Sequence, residues 1–395
     1  MPLLIRITTI PASFKTLLKG QMNYMNQKGF DVIMISSPGE EVNEIIAHEG
    51  CQHISVPFTR TISPLSDLRC LVLLTQIFRK YRPDIVHTHT PKAGLLGILA
   101  AYLCGVPVKI HTIAGLPWIN YKGFFKYFMV QLEKLNSILA DALYPNSEKL
   151  LQMLEVHGIS TAKMKVIANG TSNGIDTQWF SKNSEGVKDK AKYLLGHCEV
   201  QEDTRVWVFI GRLVKDKGIE DLVKSFLLLK EEFQNDQLWL IGDEEPDLDK
   251  ISENIQTEIA TNSAIKKWRF QNDIRPFLAA SNFLVFPSYR EGFPNVPLQA
   301  ASMKCPMILS DINGCNEIIE NGVSGLLVPV ANHLALFGAM FKLRNNIELQ
   351  EYFTLNALNS VKQKFEQKRV WEAIHKEYTF HLSNSNQFSL ADANF

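Results

Sequence analysis

The chain has no surplus of charge. Its 41 Lys and Arg are balanced by 41 Asp and Glu, so no global basic field is present to hold nucleic acid. It has no close cysteine pairs. Cys51, Cys70, Cys104, Cys198, Cys305 and Cys315 are scattered without a C-x-x-C, which points to reduced thiols in a cytoplasmic protein rather than a disulfide framework or zinc site. It has no long hydrophobic run. The most lipid-like stretch, Ala93 to Val108, is interrupted by glycine and falls short of the ~20 residues a spanning helix needs, so it reads as a buried helix followed by a strand. The first residues, Met-Pro-Leu-Leu-Ile-Arg-Ile, lack the basic region, apolar core and cleavage site of a signal peptide. Neither the G-x-G-x-x-G fingerprint nor the G-x-x-x-x-G-K-[ST] P-loop occurs, which weighs against a dinucleotide enzyme or a P-loop NTPase.

What is present is alternation. Apolar strand patterns fall near Leu3–Thr9, Val32–Ser36, His53–Val56, Ile85–Thr88, Val108–Thr112, Ala142–Tyr144 and Lys165–Ile167. Helical patterns lie between them, and such alternation means parallel sheets covered on both faces. The pattern restarts at Trp207–Ile210 and continues through Leu238–Ile241, Lys267–Phe270, Phe283–Phe286, Met307–Leu309 and Leu326–Val328. The expected architecture is α/β: two doubly wound parallel-sheet, Rossmann-like domains facing each other across a cleft. The expected boundaries are residues 1–170, a polar linker at 171–204, a second domain at 205–365, a C-terminal helix at 366–383 and a disordered tail at 384–395. Ligands of such sheets bind at the carboxyl ends of the strands, so the loops after the strands are the places to look.

The most informative loop is Ser288 to Ala300, between a strand and a helix. Gly292 allows close backbone approach, Asn295 can cap the helix, and Pro297 is tolerated in its first turn. Free N–H groups at a positive helix end suit a phosphate. Glu291, a carboxylate just before them, would repel phosphate. It is either a sugar-hydroxyl ligand or a surface glutamate. In the same half, Gly211-Arg212 and Lys217-Gly218 follow another strand. Two cations on a short loop suit a diphosphate, Arg as a fork and Lys as a point charge, or form a solvated turn.

In the first half, Lys15 and Lys19 follow the first strand. His87, His89 and Lys92 follow the fourth, and His111 and Gly115 belong to the fifth strand and its loop. Lys92 opens a helix, where a cation opposes the dipole, so an anion is its expected partner. The two histidines read as ligand-facing groups or as one core and one surface residue. Tyr121, Phe124, Phe125, Tyr127 and Phe128 among Lys122, Lys126 and Lys134 read as a membrane-surface face or as a core helix with a solvated lysine edge.

Taken together, Gly211-Arg212…Lys217-Gly218 and Glu291-Gly292-Phe293-Pro294 resemble the paired motifs of a GT-B-fold glycosyltransferase of family 4. The resemblance spans essentially the whole chain. Asn173-Gly174-Ile175-Asp176, His89…Lys92-Ala93-Gly94 and Asp311-Ile312-Asn313-Gly314 resemble the subgroup that builds bacterial surface polysaccharides on polyprenyl-diphosphate carriers. The resemblance implies retaining transfer from a nucleotide sugar, with UDP the expected nucleotide, the sugar nucleotide on the C-terminal domain and the acceptor on the N-terminal domain. It implies a last helix, Val370–Phe380, crossing back to the first domain.

Carried over by position, Arg212 and Lys217 bind the diphosphate and Glu291 holds sugar hydroxyls, with His89 as a further catalytic candidate. Gly211, Phe270, Gly292, Phe293, Pro294, Asn295, Val296 and Gln299 complete the donor side. Lys15, His89, Lys92, His111 and Gly115 are the candidates on the acceptor or donor-sugar side. No metal or cofactor is implied, the cations and the helix end supplying the charge. Asp247-Leu248-Asp249 therefore reads as a coincidental D-x-D. The implied partners are a nucleotide-sugar donor, a polyprenyl-diphosphate-linked glycan acceptor and the inner membrane surface, without nucleic acid, in the cytoplasm. Three positions depart from the family pattern: Gln299 where a second Glu is usual, Ala114 where a His is usual, and Arg269 where a Gly is usual. They leave open a catalytically silent subunit partnering another transferase, or a sugar-nucleotide epimerase or phosphorylase on the same fold.

Overall fold

The computed structural model describes residues 1–59, 61–245 and 249–392, without the side chains of residues 117, 120 and 386–392. The chain forms two compact units. Unit 1 comprises Met1–Asn173 with the segment from Lys368 onward, and unit 2 comprises Gly174–Gln367.

In the first unit the strands are β1 (Leu3–Ile7), β2 (Asp31–Ser36), β3 (Gln52–Ser55), β4 (Ile85–Thr88), β5 (Val108–Ile113) and β6 (Ala142–Pro145). The helices are α1 (Ala12–Thr16), α2 (Gln21–Gln27), α3 (Val42–Glu49), α4 (Pro64–Tyr81), α5 (Pro91–Leu103), α6 (Gly123–Leu139) and α7 (Glu148–Val156). All strand pairs are parallel, in the order β3-β2-β1-β4-β5-β6. The order reverses between β1 and β4, which makes the crevice above those two strands the site position for this sheet.

The helical stretch between β1 and β2 is broken into α1 and α2 at Gly20. This residue has φ 80°, and a Cβ there would lie 2.8 Å from the Trp371 ring. No seventh strand forms at Lys165–Ile167. Lys165 N–H reaches Leu143 O at 3.0 Å, but Ala168, Asn169 and Gly170 then all take positive φ and turn the chain away.

In the second unit α8 (Val187–His197) precedes β7 (Val206–Ile210), β8 (Gln237–Ile241), β9 (Ile265–Trp268), β10 (Phe283–Phe286), β11 (Met307–Ser310) and β12 (Leu326–Val328). Its other helices are α9 (Ile219–Glu232), α10 (Glu253–Thr261), α11 (Arg275–Ala280), α12 (Asn295–Ser302), α13 (Cys315–Ile318), α14 (His333–Arg344) and α15 (Ile347–Lys364). This sheet is also wholly parallel, ordered β12-β11-β10-β7-β8-β9, with its reversal between β10 and β7. Every residue of β7 and β10 is buried, as expected of strands covered on both faces. Trp207 and Trp239 are fully buried in the core between sheet and helices.

The expected linker at 171–204 is a correction. Asp176 Oδ1 accepts from Gln178 N–H and Trp179 N–H, each at 2.9 Å. The α8 residues Val187, Ala191 and Leu194 then pack into the second unit's core. The last helix, α16 (Gln367–Asp392), belongs to the first unit from Lys368. Val370, Ile374 and Tyr378 share a core cluster with Leu4, Val32, Met34 and Ile110. The tail expected to be disordered from 384 is instead helical as far as Asp392.

Candidate functional site

The second unit's reversal point lies between β7 and β10. The Gly211–Gly218 loop leaves the end of β7, and the Ser288–Gly292 loop leaves the end of β10. Topology thus brings the two cations and the unexplained carboxylate to neighbouring strand ends. Lys217 Nζ donates to Glu291 Oε1 at 2.6 Å, and each side chain is only 14% exposed. The backbones of the two loops abut. Gly218 has φ 70°, and a Cβ on it would lie 2.1 Å from Pro287 O, so only glycine fits there.

Arg212 is half in solvent and donates from Nη1 to Glu245 Oε2 at 2.6 Å. Gly211 is held through its N–H on Ile241 O at 2.9 Å. Phe270 is exposed after β9, its N–H 3.3 Å from Asp243 Oδ1. Gly292 accepts from Asn313 Nδ2 at 3.3 Å, and Gly314, φ 80°, lies so close that a Cβ would be 2.2 Å from Gly292 O. Of the expected D-x-D, Asp247 and Leu248 lie outside the described residues. Asp249 accepts from Asp216 N–H at 2.6 Å.

α12 begins one residue earlier than the capping expectation requires. Pro294 is the N-cap and Asn295 the first helical residue, with no side-chain cap bond. Asn295 therefore does not cap, and the α12 amino end lacks a side-chain cap acceptor. Such an end is suited to an anion. Phe293 and Val296 pack against the core, with the Phe293 ring 5.4 Å from that of Phe365. Gln299 is half-buried on α12.

In the first unit, the loops after β1 and β4 meet at the other reversal point. Thr9 N–H donates to Thr90 Oγ1 at 3.0 Å. His87 and His89 are both buried, their rings 4.1 Å apart. His87 is held by the Tyr378 hydroxyl at 2.5 Å and by Thr112 Oγ1 at 2.8 Å. His89 Nε2 accepts from Arg6 Nε at 2.9 Å, which places the His89 proton on Nδ1. The buried Arg6 also donates from Nη2 to Gln21 Oε1 at 2.5 Å. Burial, and then the neighbouring cationic groups, push the pKa of His87 and of His89 well below the usual histidine range. Sequence reading overlooked Arg6, which sits as a lone polar residue inside an apolar strand pattern.

Three candidates on this unit have other partners. The Lys92 ammonium donates to Asp67 Oδ1 at 2.6 Å, Thr59 Oγ1 at 2.8 Å and the Thr61 carbonyl. It ties α5 to α4, and the anion it meets is the protein's own Asp67 carboxylate. His111 is buried, its Nδ1 2.8 Å from Thr88 Oγ1. Its ring lies so close under α5 that a Cβ on Gly94 would sit 2.4 Å away, so it packs tightly between β5 and α5. Lys15 pairs with Glu44 at 2.8 Å. Gly115 lies in the half-buried loop after β5.

Two six-stranded doubly wound units of this kind define the GT-B fold. Anabaena HepE, in a crystal structure with UDP and glucose, superposes with a TM-score of 0.81 at 15% identity, covering 96% of this chain and 100% of that one. The model for glycosyl transferases group 1 matches residues 204–346, and that for the glycosyl transferase 4-like domain matches residues 17–170. The capsular polysaccharide biosynthesis glycosyltransferase CapM of Staphylococcus aureus is 32% identical over 93% of this chain and 95% of its own length. The chain belongs to this glycosyltransferase family. It is also 28% identical, over 73% of each chain, to the UDP-Gal:alpha-D-GlcNAc-diphosphoundecaprenol alpha-1,3-galactosyltransferase of Escherichia coli.

Proposed function

We propose that the chain is a retaining glycosyltransferase of bacterial surface polysaccharide synthesis. It moves a hexose or N-acetylhexosamine from a UDP-sugar to a hydroxyl of a polyprenyl-diphosphate-linked glycan. The observation that carries this reading is the Lys217–Glu291 pair, 2.6 Å apart at the ends of β7 and β10, beside the uncapped amino end of α12. The cation and helix end suit the donor diphosphate, and the carboxylate suits the sugar hydroxyls. Arg212, with its planar fork, adds charge on the leaving group. The S. aureus and E. coli relatives, whose names specify capsule synthesis and a diphosphoundecaprenol acceptor, support the acceptor class.

In this reading the diphosphate's charge is met by Lys217, Arg212 and the backbone amides of α12, with no metal required. The departing diphosphate helps take the proton from the acceptor hydroxyl on the same face of the sugar, which retains the anomeric configuration. The acceptor lies on the first unit, near His89 and the loop after β1. The exposed α6 residues Phe124 (81%) and Tyr127 (63%), with Phe128, Lys122 and Lys126 nearby, suit an anionic bilayer surface where such an acceptor resides. Among the described residues no helix is long and apolar enough to cross a membrane, so attachment in this reading is peripheral.

The test is transfer of radiolabelled sugar from a panel of UDP-sugars to a short polyprenyl-diphosphate glycan, with product configuration read by NMR. Transfer with retention, insensitive to chelators and lost in Lys217→Ala, is the expected result. Full activity in Lys217→Ala overturns the site, and an inverted product overturns the mechanism.

A further inference from the structure

Glu291 is held by Lys217. A diphosphate that engages Lys217 competes for that ammonium, so in the donor complex something else must keep Glu291 in place. A second link ties the Ser288–Gly292 loop to the start of α9. Tyr289 Oη donates to Asp221 Oδ2 at 2.6 Å, the short distance of a hydrogen bond to a carboxylate. Tyr289 N–H also donates to Asp216 O at 2.8 Å. Asp221 is 8% exposed on the first turn of α9, where the helix dipole favours a carboxylate. Lys217, at the end of the loop after β7, and Asp221, in the first turn of the α9 helix that follows it, thus face Glu291 and Tyr289 on the loop after β10, forming two cross-links. The neighbouring Arg290–Asp216 pair, 3.0 Å apart with Arg290 half exposed, is the kind of surface ion pair that holds little. Burial, and then the Asp221 acceptor, raise the Tyr289 pKa above the usual phenol range, so the link persists through neutral pH.

We propose that Asp221 and Tyr289 are positioning residues for the donor site: they fix the Ser288–Gly292 loop so that Glu291 stays on the sugar when the diphosphate takes Lys217. This rests on the donor-site reading above. A catalytic carboxylate must be held to within about half an ångström, and the loop's backbone holds, Tyr289 N–H on Asp216 O and Asn313 Nδ2 on Gly292 O, are neutral hydrogen bonds weaker than the Tyr289–Asp221 link. The link acts on the sugar half of the donor and not on the diphosphate half.

The experiment is calorimetry with UDP and with the tightest-binding of UDP-glucose, UDP-galactose, UDP-N-acetylglucosamine and UDP-N-acetylgalactosamine, together with turnover of that sugar nucleotide. The variants are Tyr289→Phe, Asp221→Ala, Asp221→Asn and, as a control on the site, Lys217→Ala, each checked for folding by thermal unfolding. Tyr289→Phe and Asp221→Ala are expected to bind UDP like the parent. They should lose about tenfold in sugar-nucleotide affinity relative to UDP and in turnover, the scale of one charge-assisted hydrogen bond. Asp221→Asn keeps an acceptor oxygen and should recover most of that loss. An unchanged ratio, or equal weakening of both ligands, overturns the positioning role while a Lys217→Ala loss of UDP binding leaves the site standing. UDP binding indifferent to Lys217→Ala overturns both.

Discussion

Lys217 and Glu291 are 74 positions apart in the chain, and their side chains meet at 2.6 Å. The ammonium proposed for the diphosphate and the carboxylate proposed for the sugar are therefore each other's partner. Opposite effects of their removal on the bare nucleotide follow. Lys217→Ala should weaken UDP binding at least tenfold, the loss of a charge-assisted contact of about 1.5–3 kcal/mol. Glu291→Gln, which frees the ammonium, should leave UDP affinity equal or tighter while lowering sugar transfer at least tenfold. Calorimetry with UDP and a transfer assay read the two effects separately. Gln299→Glu, which puts the usual carboxylate back on the half-buried α12 position, should tighten donor binding.

Lys92 behaves differently. Its three acceptors are all protein oxygens on or before α4. Lys92→Met should lower stability by about 1–3 kcal/mol, because Asp67 loses its cation, and should leave UDP affinity unchanged. Urea unfolding and calorimetry distinguish this from an anion-binding role.

The buried histidines set a pH dependence. His111 is pushed down to about 4 by burial, against a smaller opposing effect of the Thr88 carbonyl, and His87 and His89 are also lowered. Since the unfolded chain takes up these protons first, their contribution to stability is full above an ordinary histidine value of about 6.5 and is lost as pH falls toward 4. For His111 alone the difference is on the order of 3 kcal/mol. Unfolding free energy should fall steeply between pH 6.5 and 4, and His111→Gln should flatten that slope even though it lowers stability at pH 7.

Ala168 has φ 46° and Asn169 φ 60°, followed by Gly170 at 101°. A left-handed conformation costs a non-glycine residue about 1–2 kcal/mol. Ala168→Gly should therefore be neutral or stabilising by up to about 1 kcal/mol, despite the lost methyl and the added chain freedom. Gly170→Ala is the contrasting case. Its Cβ would fall 2.0 Å from Asn146 O, and a loss of about 3 kcal/mol or more is expected. Denaturant midpoints of the two variants provide the comparison.

Much of this fold was legible because buried parallel strands are written as unbroken apolar runs. Phe283–Phe286 coincides with β10 to the residue, and the loops after such runs hold the candidate site. What was not legible was local composition at odds with packing. The stretch 171–204 is rich in Asn, Ser and Lys, and this masked the i, i+4, i+7 spacing of Val187, Ala191 and Leu194 that buries α8. The partners of Lys92 and Lys217 lie 25 and 74 residues away, beyond any local pattern. A lysine at a helix start looks the same whether it awaits an anion or already holds an aspartate.

The first unit's core is closed by α16, whose Val370, Ile374 and Tyr378 stand among side chains from β1, β2, β5 and β6. Residues 174–367 form a continuous stretch with a core of their own. During synthesis the order of completion is therefore reversed relative to the order of appearance. The unit that leaves the ribosome first waits, with an open apolar face, for the last segment to emerge, while the later one can finish beforehand. A premature stop after residue 367 would leave the second unit whole and the first without its final helix, a product for chaperones and proteases to deal with.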